Sequence, residues 1–397
     1  CKLLRSVKHK AIVVVGGVHA TIAYEDCLNQ DFIDMACIGE GDDVLLELLN
    51  PLHSLLGNPL LSEENNFVGS SQCTSCHKNI FTTQINSGHA RTLRKVESIP
   101  ELLKAVPLQF FDKQNNVKYQ IEKSPNKNFV LDLIATKKNE SNRMHLLWGL
   151  GAGRKGVTFV GLTDKGNYGQ SRVSWYQKTS GLDVTTGLEK QVEDTYDALA
   201  DWMSPPQQEN CFACHTTREA DLPPIEMNPK NAGVHCERCH GPGGKHIQAM
   251  MSGNNQTVNP IKNPGKMKAI EQIYFCGACH GVPAGGTDLQ TISKHMGDKQ
   301  TARFPGQRLV FSQCYTESKG KLQCITCHDP HEDLVQQPRA YDTKCLTCHQ
   351  AKNPLLKVCP ISKKDCTTCH MPYEKGFMTH SEFADHWIRI LSENNSP

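Results

Sequence analysis

Seven C-x-x-C pairs, each followed at once by His, constrain this chain more than any other feature. They are Cys73-Cys76-His77, Cys211-Cys214-His215, Cys236-Cys239-His240, Cys276-Cys279-His280, Cys324-Cys327-His328, Cys345-Cys348-His349 and Cys366-Cys369-His370. Together they use 14 of the 19 cysteines. His makes up only 18 of 397 residues. Were the following residue random, seven His in seven trials would have a probability on the order of 10⁻¹⁰, so the pattern reads as c-type haem attachment. The spacing has a chemical reason. Two thiols add across the two vinyl groups of one haem and so must stand about one helical turn apart, and the next residue sets an imidazole under the iron. Zinc would need pairs of pairs and leaves the adjacent His unexplained. A disulfide framework leaves it unexplained too. The expected cofactor is haem c, seven copies, each with its motif His as proximal ligand.

The motifs also organise the chain. Six lie between Cys211 and His370, while the first stands apart at Cys73. With so little chain per haem, the porphyrins must supply much of the apolar interior and lie close together. Between the first and second motifs the text changes. Gln109–Phe111, Val117–Ile121, Phe129–Ile134, Val157–Leu162 and Tyr168–Tyr176 read as short strands. Turn signals at Gln114-Asn115-Asn116, Asp164–Asn167 and Gly149–Gly156 separate them. Leu188, Val192, Tyr196, Leu199 and Met203 recur at helical spacing, and Pro205-Pro206 is expected to stop that helix. The expected fold class is mainly α and irregular, packed around haems. It carries a small antiparallel β insertion at about 108–177 and a short α/β N-terminal segment. The expected domains are residues 1–66, residues 67–210 with the first haem and the β insertion, and residues 211–397 with six haems.

A formal charge of +2 argues against a nucleic-acid partner. The longest apolar run, Ala11 to Ala23, contains Gly16, Gly17 and His19 and is too short to span a bilayer. Any membrane contact is therefore expected to be peripheral. Haem attachment to paired thiols implies a periplasmic or extracellular home. No signal peptide is evident: Lys2, Arg5, Lys8 and Lys10 before Ala11–Val15 imitate one, but Gly16-Gly17-Val18-His19 interrupts it. The start at Cys without Met is read as truncation, with Cys1 as the acylated first residue of a lipoprotein as the alternative. Fourteen propionates would turn the formal charge negative, so docking to redox partner proteins is expected to be salt-sensitive.

Eleven histidines remain beyond the motifs. His9, His19 and His53 belong to the N-terminal segment, and His145 lies in a strand region. That leaves His89, His235, His246, His295, His331, His380 and His386 as candidate distal ligands, seven for seven haems. A second imidazole closes an iron to substrate. The count therefore favours an electron carrier with every haem six-coordinate. His235 and His331 lie too near their own motifs to serve those haems and must cross to others. Met296, Met371 and Met378 lose to neighbouring His as axial ligands. Cys314 and Cys359 are left as either a disulfide or free thiols, and Cys1, Cys27 and Cys37 carry no spacing signal. The first haem, isolated in sequence, is expected to be terminal and to contact a partner.

From Gly69 onward the chain resembles multihaem c-type cytochromes related to the tetrahaem cytochrome of ammonia oxidisers and to hydroxylamine oxidoreductase. The segments that carry the likeness are Cys236 through His246, Cys327-His328-Asp329-Pro330-His331 and Cys369-His370-Met371-Pro372. In that family His placed like His246 and His331 are distal ligands to other haems. The resemblance extends to His89, His235 and His386, and less directly to His295 and His380. It implies respiratory electron transfer. The alternative it also implies is a redox enzyme, hydroxylamine oxidoreductase-like or nitrite reductase-like, acting on a small nitrogen or sulfur compound at one five-coordinate haem. Residues up to about 50 resemble the back half of the cobalamin-binding domain of radical SAM enzymes, on Ala11–Thr21 and Asp34–Gly41. D-x-H-x-x-G and C-x-x-x-C-x-x-C are missing there, so a non-functional fragment is expected.

Overall fold

The computed structural model describes residues 14–15, 35–36, 66–218, 224, 226–252, 260–281, 299–349, 358–375 and 379–391. The chain divides into two units, residues 1–65 and 66–397. In the first unit β1 (Val14–Val15) pairs in parallel with β2 (Met35–Ala36). The cobalamin-domain-like expectation for this segment otherwise lies outside the described residues, and one two-residue pair does not distinguish it.

The second unit is built on a nine-stranded antiparallel sheet. Its strands are β3 (Leu93–Lys95), β4 (Leu108–Asp112), β5 (Val117–Lys123), β6 (Leu131–Lys137), β7 (Glu140–Leu150), β8 (Gly156–Leu162), β9 (Tyr168–Tyr176), β10 (Gly181–Val184) and β11 (Ala200–Trp202). The order runs β10-β9-β8-β7-β6-β5-β4, with β11 on β9 and β3 on β7. Register shifts between Leu146 and Trp148 and between Thr158 and Val160 bend the ladder. The sheet curls until β4 and β10, its two ends, come alongside each other.

Alternation explains why these residues choose strands. In β5 Val117, Tyr119 and Ile121 point inward while Lys118, Gln120 and Glu122 point out. The inner face gathers these with Leu131, Leu133, Phe159, Val173 and Trp175, and the helix Pro100–Ala105 adds Leu102. Each such side chain, once fully buried, stabilises by about 1.5–3 kcal/mol. A second cluster, Leu93, Trp148, Val160 and Leu162, meets Phe212, Met227 and Ala232. Phe212 lies inside the second C-x-x-C pair, and Trp148 Nε1 donates to the Pro224 carbonyl at 2.6 Å. The sheet therefore supports one attachment motif directly.

This corrects the fold class read from sequence. The β part is no small insertion at 108–177 in a mainly α and irregular chain. It is the largest regular element described, and it recruits strands from both sides of that range. The reason is pairing. β3, β10 and β11 are too short to show a period of their own, and they become strands because β7 and β9 present open edges to them.

Around the sheet, short helices carry the motifs: Thr74–Gln84, Pro205–Ala213, Cys236–His240, Ala269–His280, Cys324–Cys327, Asp342–Leu346 and Cys366–His370. A hairpin of β12 (Tyr373–Lys375) and β13 (Glu382–Ala384) follows the last motif.

Candidate haem-binding centres

Each motif begins or ends a short helix, which sets its two cysteines one turn apart on the same side. The helix Ala269–His280 ends where Gly281 takes φ 78°, a left-handed cap that releases the chain just after the motif His. Glu237, inside the third motif and buried, accepts three backbone N–H bonds: Val68 at 2.9 Å, Gly69 at 2.8 Å and Gly243 at 2.8 Å. One carboxylate thus ties the approach to the first motif to the loop that leads to His246.

The motifs adjoin. The Cys73 and Cys236 thiols act on each other, which pushes Cys73 up and Cys236 down, and Cys276 and Cys324 act on each other in the same way. The Cys214 thiol donates to the Ala278 carbonyl inside the fourth motif at 3.9 Å, and Cys345 and Cys366 shift each other's titration. Cys239 lies beside Cys276, and Cys327 beside Cys348. These neighbours make the series first–third–fourth–fifth–sixth–seventh, with the second motif beside the fourth. Cys314 and Cys359 are both free.

The imidazoles come in pairs that do not touch. His77 faces His246 with ring centroids 6.3 Å apart, and His240 faces His331 at 6.1 Å. His280 faces His89 at 5.8 Å, and His328 faces His386 at 6.2 Å. Two metal–imidazole bonds of about 2 Å, plus about 1.1 Å from each ring nitrogen to its centroid, separate centroids by about 6 Å. The gaps are therefore the width of one iron between two imidazoles. The residues fit haem.

Hydrogen bonds orient the rings consistently. Nδ1 of His89 lies 3.2 Å from the Pro330 carbonyl, His240 Nδ1 2.8 Å from Lys262 O, and His386 Nδ1 3.0 Å from Ala384 O. His370 Nδ1 is 2.9 Å from Arg389 O, and His215 Nδ1 is 3.0 Å from Thr92 O. Such a bond fixes the tautomer and leaves Nε2 for the metal. Burial, with smaller contributions from neighbouring imidazoles, pushes His280 and His386 down to about 4. At neutral pH both rings are uncharged and able to bind iron.

The other candidates sit differently. His235 turns Nε2 to the Ala232 carbonyl at 2.8 Å, and His380 turns Nε2 to Asp183 at 2.8 Å. His295 lies outside the described residues. His145 engages both nitrogens, Asp132 at 2.7 Å and Asp164 at 2.9 Å, and stacks on Phe129.

Sequence reasoning passed over the groups that hold the rings. Arg91 donates to Asp333 at 2.8 Å and Arg154 pairs with the same carboxylate, tying the His89 and His331 segments together. Gly233, at φ 88°, donates to His215 O while Val234 donates to His89 O. Any Cβ on Gly233 would collide with the Ala90 carbonyl. The Asp-Pro-His and His-Cys contexts hinted at bends here, but not at their partners.

Comparisons with known proteins agree on kind. The family described as cytochrome c554 and c-prime matches residues 170–241, a stretch that holds the second and third motifs. The multiheme cytochrome MtrA of Shewanella baltica is 25% identical over 197 residues, covering 41% of this chain and 55% of MtrA. The dissimilatory sulfite reductase MccA of Wolinella succinogenes is 21% identical over 328 residues, covering 71% of this chain and 43% of MccA. The chain spans about half the length of the curated relatives it matches. The crystal structure of the outer cell wall cytochrome OcwA aligns with a TM-score of 0.46 and 16% identity, covering 81% of this chain and 79% of OcwA. The attachment chemistry written in the motifs and the kind of protein matched by sequence agree, and together they support a multihaem c-type cytochrome with haem c as its cofactor.

Proposed function

We propose that this chain passes single electrons along seven covalently bound haems. The observation that carries the reading is the set of four imidazole pairs held about 6 Å apart. On this reading His77 and His246 hold the first haem, His240 and His331 the third, His280 and His89 the fourth, and His328 and His386 the fifth. His215, His349 and His370 are the proximal ligands of the second, sixth and seventh, with His235, His295 and His380 as their distal candidates. The adjoining motifs support a path that runs first, third, fourth, fifth, sixth and seventh, with the second as a side branch. The first haem then stands at one end, where a redox partner would dock. Bound haem supplies one-electron chemistry. The protein closes iron faces, fixes imidazole tautomers and keeps neighbouring rings close. The proposed location is extracytoplasmic, where thiol-attached haem belongs. Among the described residues no helix is long and apolar enough to cross a membrane.

A second reading has one observation in its favour. His235 and His380 turn Nε2 to protein oxygens. If they keep those bonds, an iron stays open, and the resemblance to hydroxylamine oxidoreductase read from the sequence, or the match to the sulfite reductase, would then extend to chemistry on a small nitrogen or sulfur compound. Mass spectrometry of the denatured holoprotein tests the count: seven haems are expected, and five or fewer would end the proposal. Low-temperature EPR of the oxidised protein separates the two readings. Low-spin signals alone, unmoved by hydroxylamine, nitrite or cyanide, support the carrier. A high-spin ferric signal of one haem, moved by those ligands, supports the enzyme.

A further inference from the structure

Among the described residues, the most deeply buried ion cluster lies beside a proposed iron ligand. Asp385 is 0% exposed, Arg308 3%. Arg308 Nε donates to one Asp385 oxygen at 2.7 Å and its terminal nitrogen donates to the other at 2.6 Å. Arg389 donates to the second oxygen at 2.6 Å, and the Trp387 amide to the first at 2.9 Å. Both guanidinium groups lie over the Trp387 ring, at 5.6 and 4.3 Å. Arg308 is held from behind by the Thr301 hydroxyl at 3.0 Å. His386 follows Asp385 directly and faces His328. At the other end of the segment the Arg389 carbonyl accepts from His370 Nδ1, and the Arg389 amide donates to the His370 carbonyl at 3.2 Å.

We infer that residues 385–389 form a strap that sets ligands of two haems at once, with Asp385 and Arg308 as its positioning residues. The strap presents His386 to the fifth iron and the Arg389 carbonyl to the proximal His370 of the seventh. A buried carboxylate gripped bidentately by one arginine and capped by another has a single favourable geometry. That geometry fixes where His386 can stand and keeps the carbonyl on His370. An imidazole that donates to a carbonyl is a more basic ligand and stabilises ferric iron, so release of the carbonyl raises the potential of that haem. The cluster thus couples the coordination of one haem to the potential of another. This inference rests on the ligand pairs proposed above.

The test uses the full chain matured with its haems, with haem content measured first, then low-temperature EPR and spectroelectrochemical titration of His386→Ala, Asp385→Ala, Asp385→Glu and Arg308→Lys. His386→Ala is expected to turn one low-spin haem high-spin, reversed by added imidazole, and to leave the seventh haem's potential in place. Asp385→Ala is expected to give the same high-spin signal at lower intensity and, in addition, to raise the potential of a second haem. Arg308→Lys should do both more weakly, and Asp385→Glu should restore the wild-type signals. If His386→Ala shows its high-spin signal while Asp385→Ala and Arg308→Lys keep wild-type spectra and potentials, the strap is refuted and the ligand assignment survives. If His386→Ala itself leaves every haem low-spin, the ligand assignment fails. Should Asp385→Ala not mature, Arg308→Lys decides by the same two signals.

Discussion

Glu237→Gln isolates one carboxylate's work, because the side chain keeps its shape and loses only charge and one acceptor. Oε1 accepts from Val68 at 2.9 Å and Gly243 at 2.8 Å, and Oε2 accepts from Gly69 at 2.8 Å. A hydrogen bond to a charged acceptor contributes about 1.5–3 kcal/mol, a neutral one about 0.5–1.5. With the carboxamide oxygen left toward Val68 and Gly243, those two bonds each weaken by about 1 kcal/mol. The Gly69 N–H then faces an NH₂ group, and that lost bond costs about 2 kcal/mol more. The sum, about 4 kcal/mol, falls on the segment entering the first motif and on the loop before His246. At about 1.4 kcal/mol per decade, amide exchange protection at Val68, Gly69 and Gly243 should drop by up to about three decades. Native-state hydrogen exchange on the haem-loaded protein reads this directly. A loss below tenfold at all three amides would refute the reasoning, since the carboxylate would then be only one of several anchors.

Other outcomes follow from the same geometry. His145→Ala should leave the haem spectra unchanged and lower sheet stability by about 2 kcal/mol, seen in thermal melts, because Asp132 is fully buried and keeps only Arg143 and Ser124. Leu133→Ala, at a side chain 0% exposed in the sheet interior, should cost about 2–5 kcal/mol and shift the β-sheet melting transition by circular dichroism. Gly233→Ala should disturb two proposed centres together, because the added Cβ would be strained at φ 88° and would meet the Ala90 carbonyl, while the Gly233 and Val234 amides hold the His215 and His89 carbonyls. Paired changes in the optical spectra of the second and fourth haems, against a control at exposed Gly166, check it.

What the sequence revealed follows the range of each interaction. The strands at 117–121, 157–162 and 168–176 were legible because alternation is local, and the structure keeps them in β5, β8 and β9. β7 is legible in the sequence only around His145, because it opens with Glu140-Ser141-Asn142-Arg143, which has no apolar alternation, and it is held by neighbours on both edges. The helical spacing from Leu188 to Met203 misled. Only Thr195–Leu199 is helical, and Ala200–Trp202 pairs with β9 because an open edge outweighs a weak period. Pro205 does not stop a helix there. It stands at the first position of Pro205–Ala213, where a missing N–H costs nothing. In the proposed site, the motif His is read from attachment chemistry, which fixes it next to Cys. His145 could be set aside because a strand holds it. The opposition of His89 to His280, or of His246 to His77, has no local signature. Neither has Glu237, whose meaning lies in amides from two distant segments.

The four facing pairs also say something about how such a chain can mature. His89 stands opposite His280 and His77 opposite His246, so the earliest segments to emerge are completed by segments that emerge much later. No attachment site before Cys276 can assemble the fourth pair, and His328 waits for His386 near the end of the described chain. Contacts this far apart in sequence form slowly and late. On the proposed ligation, thioether bonds would hold each porphyrin while its second imidazole is still missing. Covalent attachment, on this view, is as much a device of timing as of affinity. A chain that skipped the fourth attachment would leave His89 and His280 apart with nothing between them.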